Sequence, residues 1–260
     1  GSTEALNLVS YAWANQNLES GDEIILSTLE HHANIVPWHF LRSRKNIKLI
    51  WIDPDENGQI SYEMIEKKIS SKTKMVCITH MSNVFGSIID VKKICEELKK
   101  RGIVTVIDGS QAIVHLEVDV VSIGCDFYTF TGHKLFGPTG TGVLYVNKKR
   151  IDEMVPFIGG GEMIKSVSKD DVTFNQSPFL FEAGTPGIAE IIGLGAAIDF
   201  VRAFDRKSVL EYEISLSEYT RTELQKLDWL AKHSFHRDNL AIFSFSMEGI
   251  AHAHDMATIL

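Results

Sequence analysis

Cysteine is scarce in this chain of 260 residues: Cys77, Cys95 and Cys125 are all it has. Their number is odd and their spacing wide. No Cys-x-x-Cys pair occurs, so neither a disulfide framework nor a metal site is specified. Such usage fits a reducing, cytoplasmic setting. No stretch is apolar for long enough to cross a bilayer as a helix. An excess of positive charge is also missing. Lys and Arg total 26 against 34 Asp and Glu, a formal net charge of −8, which argues against nucleic acid or an anionic membrane as the main partner. No internal repeat or low-complexity tract occurs. No secretory leader is visible, and the chain opens at Gly1 without a methionine, so a central piece of a longer protein is expected.

What is present is an ordinary globular composition, 44% hydrophobic and 23% charged, with alternating helix and strand signals. Thr3 to Gln16 predicts a helix with Leu6, Val9 and Trp13 on one face. Glu23 to Ser27 is a short apolar strand. A helix over Asn34 to Ser43 carries Pro37 near its first turn. Ile47 to Ile52 is a strand, followed by a turn at Pro54 to Gly58. Ser61 caps a helix running to Ile69. Lys74 to Thr79 is a strand, and Val91 to Lys100 a charged amphipathic helix stopped by Gly102. Ile103 to Ile107, Asp126 to Phe130 and Thr141 to Val146 are further strands. Buried strands separated by helices predict an α/β fold with a mostly parallel central sheet. Gly159-Gly160-Gly161 marks a flexible surface loop. Ala189 to Arg202 and Ser208 to Leu227 predict two long helices leading out of the sheet. Leu240 to Phe245 reads as the first strand of a second domain, with a helix from about Asp255. The expected division is a large domain over 1–187, connecting helices over 188–228 and an incomplete α+β small domain over 229–260.

In parallel sheets, ligands sit beyond the C-terminal ends of the strands. Two such ends carry chemistry here. Thr131-Gly132-His133-Lys134-Leu135-Phe136-Gly137-Pro138-Thr139-Gly140 follows one strand, and Asp108-Gly109-Ser110-Gln111 ends another. A lysine and an aspartate at neighbouring strand ends are what pyridoxal 5'-phosphate (PLP) chemistry needs. The amine forms a Schiff base with the cofactor aldehyde. The carboxylate keeps the pyridine nitrogen protonated, so that the ring acts as an electron sink. A lone lysine is usually a solvated surface residue. Thr131 and His133 beside Lys134, with Gly132 allowing close backbone approach, make the pattern specific. The same chemistry calls for a buried site around Lys134.

The other candidates are weaker when taken one by one. Asp108 reads equally as a helix cap, and Gln111 as a neutral donor to the cofactor's phenolic oxygen. Gly1-Ser2-Thr3-Glu4 opens the first helix, where Ser2, Thr3 and free N–H groups form an anion site. The same residues also make an ordinary cap, and Gly1-Ser2 resembles a cloning remnant. His31 and His32 point in different directions, which disfavours a shared metal. The sharper reading of this pair is an imidazole stacked on a pyridine ring. Thr185, in Glu182-Ala183-Gly184-Thr185-Pro186, is by itself a cap. His252 and His254 read as a solvated turn.

Together these segments resemble the group II (Suf-type) cysteine desulfurases, related to selenocysteine lyases, in the class V aminotransferase branch of the fold-type I PLP enzymes. The resemblance covers essentially the whole chain. It is carried by Gly1 to Val9, Glu30-His31-His32-Ala33-Asn34-Ile35-Val36-Pro37-Trp38, Thr79-His80-Met81-Ser82-Asn83-Val84-Phe85-Gly86, Asp108 to Ala112, Thr131 to Gly140 and Phe181 to Pro186. It implies the large domain of a fold-type I transferase with the start of a truncated small domain. It implies that Lys134 holds PLP and shuttles a proton at the substrate Cα, while Asp108 pairs with the pyridine nitrogen and Gln111 with the phenolic oxygen. His31 stacks on the ring and assists proton transfers. Thr3, Thr131 and His133 bind the phosphate. Asn83 lies near the phenolic oxygen or the substrate carboxylate, and Thr185 reaches the partner's phosphate in a homodimer.

The implied reaction converts L-cysteine to L-alanine, with sulfur passing through an enzyme persulfide to an acceptor protein for iron–sulfur cluster assembly. L-selenocysteine, another class V substrate, or a non-catalytic scaffold role are the alternatives. Two departures stand out. The persulfide cysteine and the arginine that grips the substrate carboxylate are expected beyond Leu260, so cofactor binding by this span does not by itself imply turnover. Leu180 stands where the family often has a basic residue.

Overall fold

A computed structural model describes residues 1–247, 249 and 252–259. Residues 248, 250, 251 and 260 of the expected small domain lie outside the described residues. Six strands form one sheet: β1 (Glu23–Ser27), β2 (Lys48–Ile52), β3 (Thr73–Thr79), β4 (Val104–Asp108), β5 (Phe127–Thr131) and β6 (Gly142–Val146). Their order is β2-β1-β3-β4-β5-β6. The first five run parallel, and β6 is antiparallel to β5.

The strands are apolar on both faces because helices cover both. The predicted first helix runs as α1 (Ser2–Leu8), a wider π-helical stretch (Val9–Ala14) and α2 (Asn15–Asn17). Its Leu6, Val9 and Trp13 pack with Trp38 and Leu41 of α3 (Val36–Lys45) against Ile24, Leu26, Met75, Cys77, Val104 and Val106. Alternate residues Ile25, Val76, Ile78 and Ile107 face the other way. They meet Ile65 of α4 (Tyr62–Glu66) and Ile94 and Leu98 of α5 (Val91–Lys100). Each fully buried Leu or Ile stabilises the fold by about 1.5–3 kcal/mol. The cysteines are buried and free.

Local signals set the boundaries. Asn34 falls in a 3-10 turn (His32–Asn34), so α3 starts later than predicted, with Pro37 in its first turn. Ser61 Oγ accepts from the Met64 N–H at 3.4 Å, as a cap should. Gly102 takes φ +69 just past α5, the left-handed conformation that stops a helix. The short helices α6 (Ala112–His115) and α7 (Val120–Ile123) lie between β4 and β5, and α8 (Lys148–Ile151) follows β6. The three glycines at 159–161 precede an antiparallel hairpin, β7 (Ile164–Val167) with β8 (Val172–Phe174), which the sequence pattern did not reveal. Then come α9 (Ile188–Arg202), α10 (Arg206–Gln225) and finally α11 (Ala253–Ile259).

The expected strand Leu240 to Phe245 is mostly absent. Only β10 (Phe245–Ser246) pairs, with β9 (Ala231–Lys232). Ala241 has φ +60, which breaks an extended run. The apolar character of this stretch serves another contact: Leu240 is buried, and its N–H donates to the Gly86 carbonyl at 2.9 Å. No helix among the described residues is long and apolar enough to cross a membrane.

Candidate active site

The parallel strands end on one edge, and the side chains that follow them converge there. Asp108 closes β4 and is 5% exposed. Its Oδ1 accepts the Ser110 N–H at 2.9 Å. Its Oδ2 takes no hydrogen bond among the described residues, leaving half of a buried carboxylate uncommitted. The backbone then turns tightly over an aromatic ring: a Cβ on Gly109 would lie 2.0 Å from Tyr128 Oη. Tyr128 shares a 2.9 Å hydrogen bond with His80 Nδ1. Burial pushes His80 down to about 4 and Tyr128 well above its ordinary value, so both are neutral beneath the turn.

Lys134 lies in the connection that reverses the chain from β5 to the antiparallel β6. It occupies a 3-10 turn, Gly132–Leu135, ended by Phe136 at φ +59. A Cβ on Gly132 would lie 2.1 Å from Thr141 Oγ1, so only glycine fits. The expected buried site is met only in part: Asp108 and Thr131 are buried, while Lys134 is half-buried and His133 exposed, because the turn stands on the rim of the sheet. Thr131 Oγ1 and His133 Nδ1 lie 2.9 Å apart.

The start of α1 is brought to the same edge by close packing on β6. A Cβ on Gly142 would lie 2.6 Å from Gly1 Cα. The residue at the cap position is Gly1, so no side chain caps the helix and its first N–H groups are left without a capping partner. His31 precedes the 3-10 turn as its cap, with Nδ1 accepting the Ala33 N–H at 3.1 Å. The neutral ring therefore carries its hydrogen on Nε2.

These groups line one cavity of about 240 Å³. Nine of the ten predicted residues face it: Ser2, Thr3, His31, Asn83, Asp108, Gln111, Thr131, His133 and Lys134. Thr185 does not. It is exposed, in the loop between the 3-10 turn Phe179–Phe181 and α9. Sequence reasoning missed Thr79, Met81 and Ser110 as cavity residues. Ser110 Oγ is buried with no hydrogen-bond partner among the described residues.

Glu30, next to His31, was also missed. It is buried, accepting from Ser27 Oγ, from Asn34 Nδ2 at 2.7 Å and from the Thr79 N–H at 3.0 Å. Desolvation raises its carboxyl to about 8 against the pull of these donors, with Asp108 adding a smaller push. A charged residue three positions past the end of an apolar strand was the available signal.

The donor set fits PLP. An uncommitted buried carboxylate suits a protonated ring nitrogen, an orphaned hydroxyl and a helix start suit anionic oxygens, and an amine at the rim suits an aldehyde. No group of three or more His, Cys, Asp or Glu among the described residues could hold a metal.

A mostly parallel α/β sheet with this donor set at its C-terminal edge defines the fold-type I class of PLP enzymes. The aminotransferase class-V family model matches residues 1–260, and the chain belongs to that family. It is 45% identical over 260 residues to a probable cysteine desulfurase of Xylella fastidiosa, covering 100% of this chain and 62% of the relative. It is 41% identical over 261 residues to a cysteine desulfurase of Escherichia coli, covering 100% of this chain and 64% of that protein. Among solved structures it resembles the cysteine desulfurase CsdA from Escherichia coli, with a TM-score of 0.94 and 34% identity over 99% of this chain and 64% of that one. The chain thus spans less than two thirds of the length of these relatives.

Proposed function

We propose that this chain is the cofactor-binding part of a PLP-dependent cysteine desulfurase, converting L-cysteine to L-alanine with sulfur transfer. The observation that carries the reading is the convergence of Asp108 and Lys134 on one small cavity with an orphaned Ser110 hydroxyl. Identities of 41–45% to relatives named as cysteine desulfurases support the substrate.

When bound, PLP supplies an electron sink for negative charge developing at the substrate Cα. Lys134 is the residue that would hold the cofactor through its aldehyde carbon, with loss of water, and its Nζ would move the proton at that Cα. Asp108 holds the proton on the ring nitrogen. Gln111 and Asn83 serve the phenolic oxygen side. His31 covers the ring and carries a proton on Nε2 for transfer. Ser2, Thr3, Thr131 and His133 hold the phosphate, and Thr185 serves the partner's phosphate in a homodimer. An acceptor protein takes the sulfur towards iron–sulfur cluster assembly. A cytoplasmic setting belongs to the same proposal, supported by three buried free thiols, as does the division at 187 and 228.

The test is direct. PLP added to the purified protein should give a visible absorption band that Lys134→Ala abolishes. The full-length protein should release alanine from L-cysteine, with L-selenocysteine assayed alongside. Absence of the band in the wild type would refute the reading.

A further inference from the structure

Gln111 is held from outside its own turn. Its Nε2 lies 3.2 Å from Nε2 of His115, one helical turn further on in α6. Nδ1 of the same ring lies 3.0 and 3.1 Å from the two carboxylate oxygens of Glu213 in α10. The His115 and Glu213 side chains are 10% and 23% exposed, so water competes weakly with this contact. A carboxylate accepts and cannot donate. Nδ1 of His115 therefore carries a hydrogen, and Nε2, which faces the amide nitrogen of Gln111, is the acceptor of that contact. It takes one N–H of the Gln111 amide, which fixes which end of that amide faces the ring and what the other end offers the cavity.

The far end of this chain of contacts is anchored. Arg206 lies two turns before Glu213 on α10. Its Nη2 donates to the carbonyls of Val114 at 2.8 Å and Leu116 at 3.0 Å, at the end of α6. Two charged groups on one face of α10 thus clasp α6, one through its terminal carbonyls and one through His115. A surface ion pair would contribute little. This one is partly buried and ends on a group that lines the cavity.

We propose that Glu213 and His115 form a positioning relay that sets the orientation of the Gln111 amide in the cofactor cavity. The relay rests on the cofactor reading above. Neither residue touches the cavity; both act through Gln111.

The experiment measures PLP affinity and the position of the visible band in the PLP-loaded protein. Glu213→Ala should weaken PLP binding about three- to ten-fold, the effect of one hydrogen bond, and displace the band. Glu213→Gln, which keeps a carbonyl to accept from Nδ1, should restore both. His115→Phe keeps the ring volume, provides a second variant if Glu213→Ala does not fold, and should match it. In a Gln111→Ala background, Glu213→Ala should have no further effect on affinity. Unchanged affinity and band in folded Glu213→Ala, or effects that add to those of Gln111→Ala, overturn the relay alone. A wild-type protein that gives no visible band overturns the cofactor reading and the relay with it.

Discussion

Tyr128 fills the space that a side chain on Gly109 would need, with its Oη 2.0 Å from the position of a Cβ. The turn that follows Asp108 is therefore built on a ring that cannot yield easily, since Tyr128 is 2% exposed and bonded to His80.

Gly109→Ala should consequently damage the site and the fold together. Overpacking of this kind costs about 1–3 kcal/mol, and the displaced backbone carries Asp108 with it. The expected outcome is a lower Tm and weakened PLP binding. An alanine variant that binds PLP as the wild type does would show that the turn is softer than described.

Glu30 should make stability depend on pH. Its carboxyl is raised from 4.5 to about 8 in the folded chain, so the native state binds a proton that the unfolded state releases. Stability from this group is intact below about 4.5, falls as pH rises, and levels off above about 8. The total is on the order of 3–5 kcal/mol. Denaturant unfolding of wild type and Glu30→Gln at several pH values checks it: the wild type should lose stability relative to the variant across that window. A constant difference between them would contradict the burial argument.

The three thiols should be inert in the native protein. Burial pushes Cys95 and Cys125 up to about 12 and Cys77 well above its ordinary value, so almost no thiolate is present at neutral pH. A thiol-reactive dye should label none of them until denaturant is added, and then label all three. Rapid labelling of one in the native state would place it near the surface.

Much of this molecule was legible in its residues. Runs such as Ile24-Ile25-Leu26 and Val104 to Ile107 are apolar on both faces, which only a doubly covered parallel strand requires. That Asp108 and Lys134 would share one cavity was legible because strand ends are where such sheets place chemistry. The rest depended on distance along the chain. Glu30 draws a donor from Thr79, 49 residues away. His115 meets Glu213 across 98 residues. No local pattern encodes either pairing. The stretch from Leu240 misled for a related reason: its Leu240 and Ile242 pack with Met81, Ala112 and Leu210 rather than in a sheet, and periodicity cannot tell those destinations apart.

The contact between Gly86 and Leu240 has a reach beyond packing. A methyl group on Gly86 would lie 2.3 Å from the Leu240 carbonyl oxygen, and the loop so pinned, 82–86, also carries Asn83 to the cavity. The trailing segment thus acts as a wedge under one wall of the site. Protease resistance around residue 240 and ligand occupancy should rise and fall as a single quantity.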